Sequence, residues 1–421
     1  MPARPKYGAA PLGSRFWLVW TSVTVSGLGD GMRFAALPLL AAQVTSDPRQ
    51  VSLVSLAEQL PWLLVGLLSG TLADRLDRRK MLWVTDSARA VLAGCFTLAV
   101  ATGPPSIALL TVVGFLFGCG QVVYNGAWAG IVPALVGPGE RTRANARLQA
   151  GSLVTDSLLG TPVGAVLFTW AVAAPFGVNT VSFAVAAVLV AVLPGDFSPR
   201  AAGTPGPAAS LRHDMAEGLR WLWRHPFLRG LCLASAVSSL VTVGLTSVLV
   251  LYAREVLGLG GVGYGLLVAA FATGGLAGAA ITPWLSARIG PGRTLCLAMA
   301  GSAVAAAGAG AVSSGVVSGC FIAGYGAMSL TWNVTAVSLR QDIVPSHLLG
   351  RVSMAYQMAN AAAGALGAVT GGLLAHLLGL RSPFLVGAAV LLLAALVSVR
   401  RLAGARPAVD GPHQVTAEAT P

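Results

Sequence analysis

Six ionisable residues lie inside long apolar runs of the first half of the chain: Asp30, Arg33, Glu58, Asp86, Arg89 and Asp156. A charge at the centre of a membrane helix costs about 2.5–3.5 kcal/mol on insertion scales, so each one needs a partner, water or a task. Asp30 and Arg33 stand one helical turn apart, as do Asp86 and Arg89, and each pair can neutralise itself. Asp30 lies about 21 Å along its run at 1.5 Å per residue, past the midplane of a bilayer core about 30 Å thick. Glu58 falls in the outer half of the next run, within reach of Arg33. Two chemistries fit. Carboxylates in a membrane cavity can take up and release protons, and Asp30 and Glu58 are the candidates for that role. The alternative is a set of structural ion pairs holding helices in register, which suits Asp86 and Arg89 near the membrane surface.

The second half has almost no charged counterpart. Its deepest polar groups are Asn333, Gln357 and Asn360, with Trp332 and Tyr325 nearby, while Gln121 and Asn125 are the uncharged polar candidates of the first half. Charge coupling therefore belongs to the first half. The second supplies apolar and hydrogen-bonding surface for a bulky amphiphilic molecule.

The elements that position these residues follow from composition. Of 421 residues, 55% are hydrophobic and 10% charged, with a mean hydropathy of +0.75; soluble domains carry about 25% charged residues. Apolar runs near 16–44, 51–73, 81–102, 106–136, 146–172 and 175–194 form a first set of six. Runs near 227–254, 262–286, 292–313, 315–344, 350–378 and 382–400 form a second. Only helices satisfy their own backbone groups in lipid at this length, so the expected fold is an all-α membrane protein of twelve transmembrane helices. The first run is expected to remain as a membrane helix, since it is too long for a secretory signal and lacks a cleavage pattern.

Of the 27 Lys and Arg, Arg49, Arg254 and Arg381 fall in one set of loops and Arg33 and Arg89 within spans. The other 22 lie at the N-terminus, in the alternate loops and in the C-terminal tail. That bias places both termini in the cytoplasm. It also accounts for the net charge of +12 without a nucleic-acid partner.

The chain divides into an N-terminal six-helix bundle (1–194), a cytoplasmic linker (195–226), a C-terminal bundle (227–402) and a disordered cytoplasmic tail (403–421). In the linker, Leu211, Met215, Leu219 and Leu222 make one helical stripe flanked by Arg212, Arg220 and Arg224. With Trp221 and Trp223 it is expected to lie on the cytoplasmic leaflet. The halves echo one another at an offset of 208: Gly118 with Gly326, Tyr124-Asn125 with Trp332-Asn333, Arg143 with Arg351, Gln149 with Gln357, Gly164 with Gly372. Two parallel six-helix repeats around a substrate are a transporter architecture. Among 52 glycines, Gly151, Gly160, Gly164, Gly364, Gly367 and Gly371 are expected at close helix contacts.

Catalysis finds no support. Gly258-x-Gly260-x-x-Gly263 lacks a βαβ context. Neither Lys6 nor Lys80 follows a phosphate-binding glycine loop, and the five His make no zinc motif. The five Cys lie singly in apolar runs. No metal or cofactor is expected.

The stretch "GTLADRLDRRK", Gly70 to Lys80, crowds six charges into Asp74–Lys80. It resembles the signature between the second and third helices of the major facilitator superfamily, with Asp77 where the usual form has Gly. "SGLGDGMRFAALPLLA", "ERTRANARLQAGSL" and "EGLRWLWRHPFLRG" are similar to the branch holding enterobactin exporters and macrolide efflux proteins. The resemblance implies two pseudo-symmetric six-helix bundles that rock about a central site. It implies that Asp74 meets the positive end of the eleventh helix, and that Gly70, Asp74, Arg75, Arg78 and Arg79 form a cytoplasmic latch for the outward-open state. The second half keeps Arg288 and Arg293 of the equivalent loop but has Ala287 where the Asp belongs. The fourth helix lacks the Arg of many drug–proton antiporters, and the fifth-helix signature survives as Gly151 and Gly160, its Pro displaced to Pro162.

The expected function is proton-coupled export of a small amphiphilic molecule, such as a drug or siderophore-like metabolite, by a monomer in the cell membrane. Its partners would be that substrate, protons and the lipid bilayer. Proton-coupled nutrient uptake and a non-transporting receptor or scaffold are the alternatives.

Overall fold

The computed structural model describes residues 12–66, 69, 72, 76–128, 131, 135–137, 140–194, 197, 209–345 and 348–402. The first half contains α1 (Ser14–Val44), α2 (Pro48–Leu64), α3 (Arg78–Thr102), α4 (Ile107–Trp128), α5 (Arg141–Leu153), α6 (Thr161–Trp170) and α7 (Ala174–Ala191). Then come α8 (Ala209–Arg224), α9 (Pro226–Leu251), α10 (Gly261–Ile289), α11 (Pro291–Ala311), α12 (Gly315–Ile343), α13 (Leu349–Leu378) and α14 (Ser382–Leu402).

Local chemistry sets several helix ends. The Asp47 carboxylate accepts from the backbone N–H of Arg49 at 3.0 Å, with Pro48 as the first helical residue of α2. Asp77 caps α3 in the same way, accepting from the N–H of Arg79 at 2.9 Å. Each cap satisfies an amide that the helix leaves without a partner. The turn between α10 and α11 passes through Gly290 at φ +84°, a conformation closed to most side chains.

Among the described residues, eight helices are long and apolar enough to cross a membrane by length and hydropathy alone. Of the rest, α2 is 17 residues long, and α1 and α12 carry polar residues that line the cavities, among them Asp30 and Asn333. Large apolar side chains such as Val91, Leu98, Leu393 and Leu396 stand exposed on the outside. Acyl chains match such a surface, whereas water would not tolerate so much of it.

The fifth span is not a continuous α-helix, as its apolar pattern alone suggests. Its middle, Val154–Gly160, is π-helical and joins α5 to α6. Pro162 offers no N–H to the preceding turn and its ring crowds that turn, so the ladder re-registers there. The Thr161 hydroxyl donates to the Asp156 carbonyl at 3.2 Å. A second short π turn, Tyr252–Val256, ends the seventh span.

In the first half α1 packs on α7, α3 on α7 and α4, and α2 on α4. In the second, α9 packs on α13 and α14, α10 on α12, and α11 on α12 and α14. The halves meet through α2 against α13 and α9, and through α6 against α10. These contacts gather at the arginine-poor end. Arg254 Nη1 donates to the Ala42 carbonyl at 2.6 Å, His376 Nδ1 lies 3.5 Å from Asp47 Oδ1, and Gly372 leaves room for Ser52 and the Pro48 carbonyl. Toward the arginine-rich end the halves separate around a cavity.

The described stripe residues of α8 differ in cover. Leu222 is buried, whereas Leu219 is exposed, so the two do not share an environment. Gly218 sits against the Arg351 backbone and Glu217 pairs with Arg351, which docks α8 on α13. A periodic stripe cannot distinguish lipid from a neighbouring helix as its cover. Leu211 and Met215 lie outside the residues whose side chains are described.

Candidate functional site: two adjoining membrane cavities

The smaller cavity, about 440 Å³, lies within the first half and is lined by Asp30, Arg33, Arg89, Gln121, Asn125 and Asp156 among others. Arg33 on α1 donates from Nη1 to Glu58 Oε1 on α2 at 2.6 Å, and its Nη2 stands 3.5 Å from Asp30 Oδ1. Arg89 on α3 reaches across to α1, where Nη2 lies 2.8 Å from both Asp30 oxygens. The same nitrogen donates to Gln121 Oε1 on α4 at 2.8 Å, and Gln121 Nε2 donates to Asn125 Oδ1 at 3.2 Å. The guanidiniums also lie over aromatic faces, Arg33 over Phe117 at 4.7 Å and Arg89 over Phe183 at 4.1 Å. Four helices are thereby joined by one polar network whose hub is Asp30. Charge-assisted bonds of this kind are roughly twice as strong as neutral ones.

Both i,i+3 pairs form, at 3.5 Å for Arg33–Asp30 and 3.7 Å for Arg89–Asp86, but neither is its arginine's closest ion pair. Arg89 keeps only a 3.7 Å approach to Asp86 and spends its hydrogen bonds on Asp30 and Gln121. Asp86 is fully buried, and neither of its oxygens has a hydrogen-bond partner among the described residues. The helix brings i and i+3 side chains close, but bundle packing decides which way a long guanidinium turns. Glu58 belongs to α2, the helix that also touches the second half, and its backbone carbonyl would lie 2.9 Å from a Cβ at Gly118 of α4.

The larger cavity, about 700 Å³, lies between the halves. Gln59, Trp62, Leu153 and Ser157 line it from the first half; Phe271, Trp332, Asn333, Tyr356, Gln357 and Asn360 line it from the second. Trp332 Nε1 donates to Ser235 Oγ at 2.9 Å, and Ser235 in turn contacts the Tyr356 hydroxyl. Ser239 donates to the Asn360 carbonyl at 2.9 Å. The candidate residues therefore divide into two groups: Asp30, Arg33, Glu58, Gln121 and Asn125 around the charged network, and Trp332, Asn333, Gln357 and Asn360 in the uncharged wall.

Two residues contribute more than their sequence positions suggest. Arg89 is the main partner of Asp30. Arg340, a loop arginine by its place in the sequence, is 8% exposed and lines the larger cavity from α12. Its spacing is a usable signal, because Trp332, Ala336 and Arg340 fall at four-residue steps on one helix face.

Of the latch residues, Gly70, Asp74 and Arg75 lie outside the described residues. Arg79 donates from Nη2 to the Ala191 carbonyl, within its own half, and the Arg78 N–H lies 3.4 Å from the Phe197 carbonyl. The glycines lie at helix contacts. A Cβ at Gly151 would come within 2.8 Å of Thr24, one at Gly160 within 2.7 Å of the Leu28 carbonyl, and one at Gly164 within 2.6 Å of the Met32 carbonyl. Gly364 faces Val243 and Ser239, Gly367 faces Leu240, and Gly371 faces Gly244.

Known proteins share both this sequence and this architecture. The chain is 27% identical over 410 residues to the multidrug efflux pump Tap of Mycolicibacterium fortuitum, covering 91% of this chain and 94% of that one. It is 25% identical over 410 residues to the enterobactin exporter EntS of Citrobacter koseri, covering 94% and 95%. Its fold matches the crystal structure of the D323A mutant of the nucleoside transporter NupG with a TM-score of 0.76 at 11% identity, over 92% of this chain and 99% of that chain. The sequence profile of the Major Facilitator Superfamily matches residues 19–368. With twelve membrane helices in two bundles and a cavity between them, the chain is a multi-pass membrane transporter of the Major Facilitator Superfamily.

Proposed function

We propose that the chain is a proton-coupled exporter of small amphiphilic molecules that works by alternating access in the cell membrane. The observation that carries this reading is the charged network of Asp30, Arg33, Glu58 and Arg89, buried beside the cavity between the halves. With Asp86 and Asp156, four carboxylates face two guanidiniums in this region. A proton taken up by Glu58 cancels its attraction for Arg33 and frees α2 from α1. Because α2 also packs on α13 and α9, the change reaches the contacts that close the arginine-poor end. A proton at Asp30 loosens α1 from α3 in the same way.

The positive-inside bias supports an arginine-rich end in the cytoplasm. On that orientation the conformation described is inward-facing: sealed at Arg254–Ala42 and Asp47–His376, with the cavity open to the cytoplasm. The likeness to Tap and EntS supports export as the direction. The residues near Gly70–Lys80 would latch the opposite state.

The test is flux in proteoliposomes under an imposed proton gradient, screened over a panel of amphiphilic compounds. Glu58→Gln and Asp30→Asn should abolish gradient-driven accumulation while leaving downhill exchange measurable. Gradient-driven flux unchanged in both variants would remove these residues from coupling, and wild-type flux indifferent to the gradient would remove proton coupling itself.

A further inference from the structure

The larger cavity contains one charged side chain among the described residues that line it, and no carboxylate. That residue, Arg340, is 8% exposed. Its guanidinium makes no ion pair or hydrogen bond with any described residue, and its Nε is buried without a partner. It lies over the face of Tyr356, 4.5 Å from the ring centroid. The other two guanidiniums buried in the membrane region, Arg33 and Arg89, are each held by carboxylates. A buried cation left without a counter-charge destabilises a fold, and here it faces a cavity large enough for a ligand.

The surroundings of Arg340 define what would complete it. The Tyr356 hydroxyl is engaged with Ser235, and Ser239, Thr242 and the Asn360 amide are also engaged by protein partners. Asn333 and Gln357 make no side-chain hydrogen bond among the described residues, although both line the cavity. Trp332 lies eight residues deeper than Arg340 on α12, about 12 Å along the axis at 1.5 Å per residue. Phe271 and Trp62 face the same space. The wall thus offers a cation near the arginine-rich mouth, two free amides, and aromatic surface one or two ring lengths further in.

On the reading of this cavity as the transport site, we infer that its substrates are acidic amphiphiles: a carboxylate, sulfonate or phenolate on an aromatic body. The acid group engages Arg340, whose planar fork suits bidentate pairing with an oxyanion. The rings lie toward Trp332 and Phe271. A cationic amphiphile of the same size meets an uncompensated like charge at the mouth.

The test compares two dyes that share a xanthene body, fluorescein (dianionic) and rhodamine 123 (cationic). Anisotropy would be measured with the full chain in phosphatidylcholine nanodiscs, without any gradient. Fluorescein should bind the wild type at least about tenfold more tightly than rhodamine 123. Arg340→Gln should weaken fluorescein about ten- to a hundredfold, the range of a lost charged hydrogen bond, and leave rhodamine 123 unchanged or strengthened. Arg340→Lys should fall between. Equal affinity for the two dyes in the wild type overturns the inference whether or not a variant folds, as does failure of fluorescein to bind. Loss of transport in Arg340→Gln with fluorescein affinity intact also overturns it, assigning Arg340 to a gate. The outcomes separate from those of the coupling test. Anion-selective binding with gradient-independent flux refutes only coupling; gradient-driven flux with a preference for rhodamine 123 refutes only the acidic substrate.

Discussion

The polar network makes a ranked prediction that double-mutant cycles can read. Arg33–Glu58 is a 2.6 Å contact between side chains 9% and 22% exposed, whereas Arg33–Asp30 is a 3.5 Å approach beyond the usual hydrogen-bond range of about 2.7–3.2 Å. Hydrogen bonds to charged groups contribute about 1.5–3 kcal/mol net. Two unit charges 4 Å apart attract by about 4 kcal/mol at an effective dielectric of 20, before desolvation is subtracted. The Arg33–Glu58 coupling is therefore expected at about 1.5–3 kcal/mol and the Arg33–Asp30 coupling below about 1 kcal/mol. Arg89–Asp30, with one nitrogen 2.8 Å from both oxygens and Arg89 only 3% exposed, should equal or exceed the first. The assay is reversible unfolding in mixed micelles titrated with dodecyl sulfate, on Arg33→Gln, Glu58→Gln, Asp30→Asn and Arg89→Gln singly and in pairs. A larger coupling for Arg33–Asp30 than for Arg33–Glu58 would refute the geometry. Couplings of all three pairs below about 0.5 kcal/mol would refute the view that the network binds helices together.

Two further outcomes concern the sealed end. Gly372→Leu places a side chain where a Cβ alone would lie 2.7 Å from Ser52 Cβ and 3.0 Å from the Pro48 carbonyl. It should separate α2 from α13, which spin-label distances across that end would register as a shift to longer values; an unchanged distribution would contradict the packing. At Asp47, the hydrogen bond from the Arg49 side chain holds the carboxyl below the usual carboxylate range. A lowered folded-state value means that the contribution of Asp47 is complete above the ordinary carboxylate value and lost as pH falls through the lowered one. The stability difference between wild type and Asp47→Asn should therefore persist at about pH 5 and vanish only in stronger acid, as unfolding midpoints across pH would show.

Much of the fold is legible in the amino-acid sequence. Apolar runs of bilayer length locate membrane helices because lipid demands internally satisfied backbone. The 208-residue offset points to two related bundles. Asp30, Arg33 and Glu58 likewise stand out as charges too costly to be incidental. Periodicity does not say what covers a face. Leu219 and Leu222 fall on one stripe, yet one is exposed and the other is packed inside. Pro162 stands out as a displaced signature residue, but its consequence, a π segment seven residues long, depends on how α1 closes against that turn.

What the sequence determined by itself was the class: an oily chain whose mid-span carboxylates sit in one half and whose termini of helices are marked by Asp, Pro and Gly. Those are local or compositional quantities, fixed by transfer free energies and backbone sterics. What only the tertiary structure decided was partnership. Asp30 and Arg89 are 59 positions apart, Arg340 and Tyr356 sixteen, and Arg254 and Ala42 more than two hundred. Helical spacing offered Arg89 a neighbour in Asp86, and packing added Asp30 as a closer one. The same packing left Arg340 facing a cavity without a counter-charge among the described residues. Direction of a long side chain is a contest among all surfaces within its reach, and only the assembled bundle brings those surfaces together.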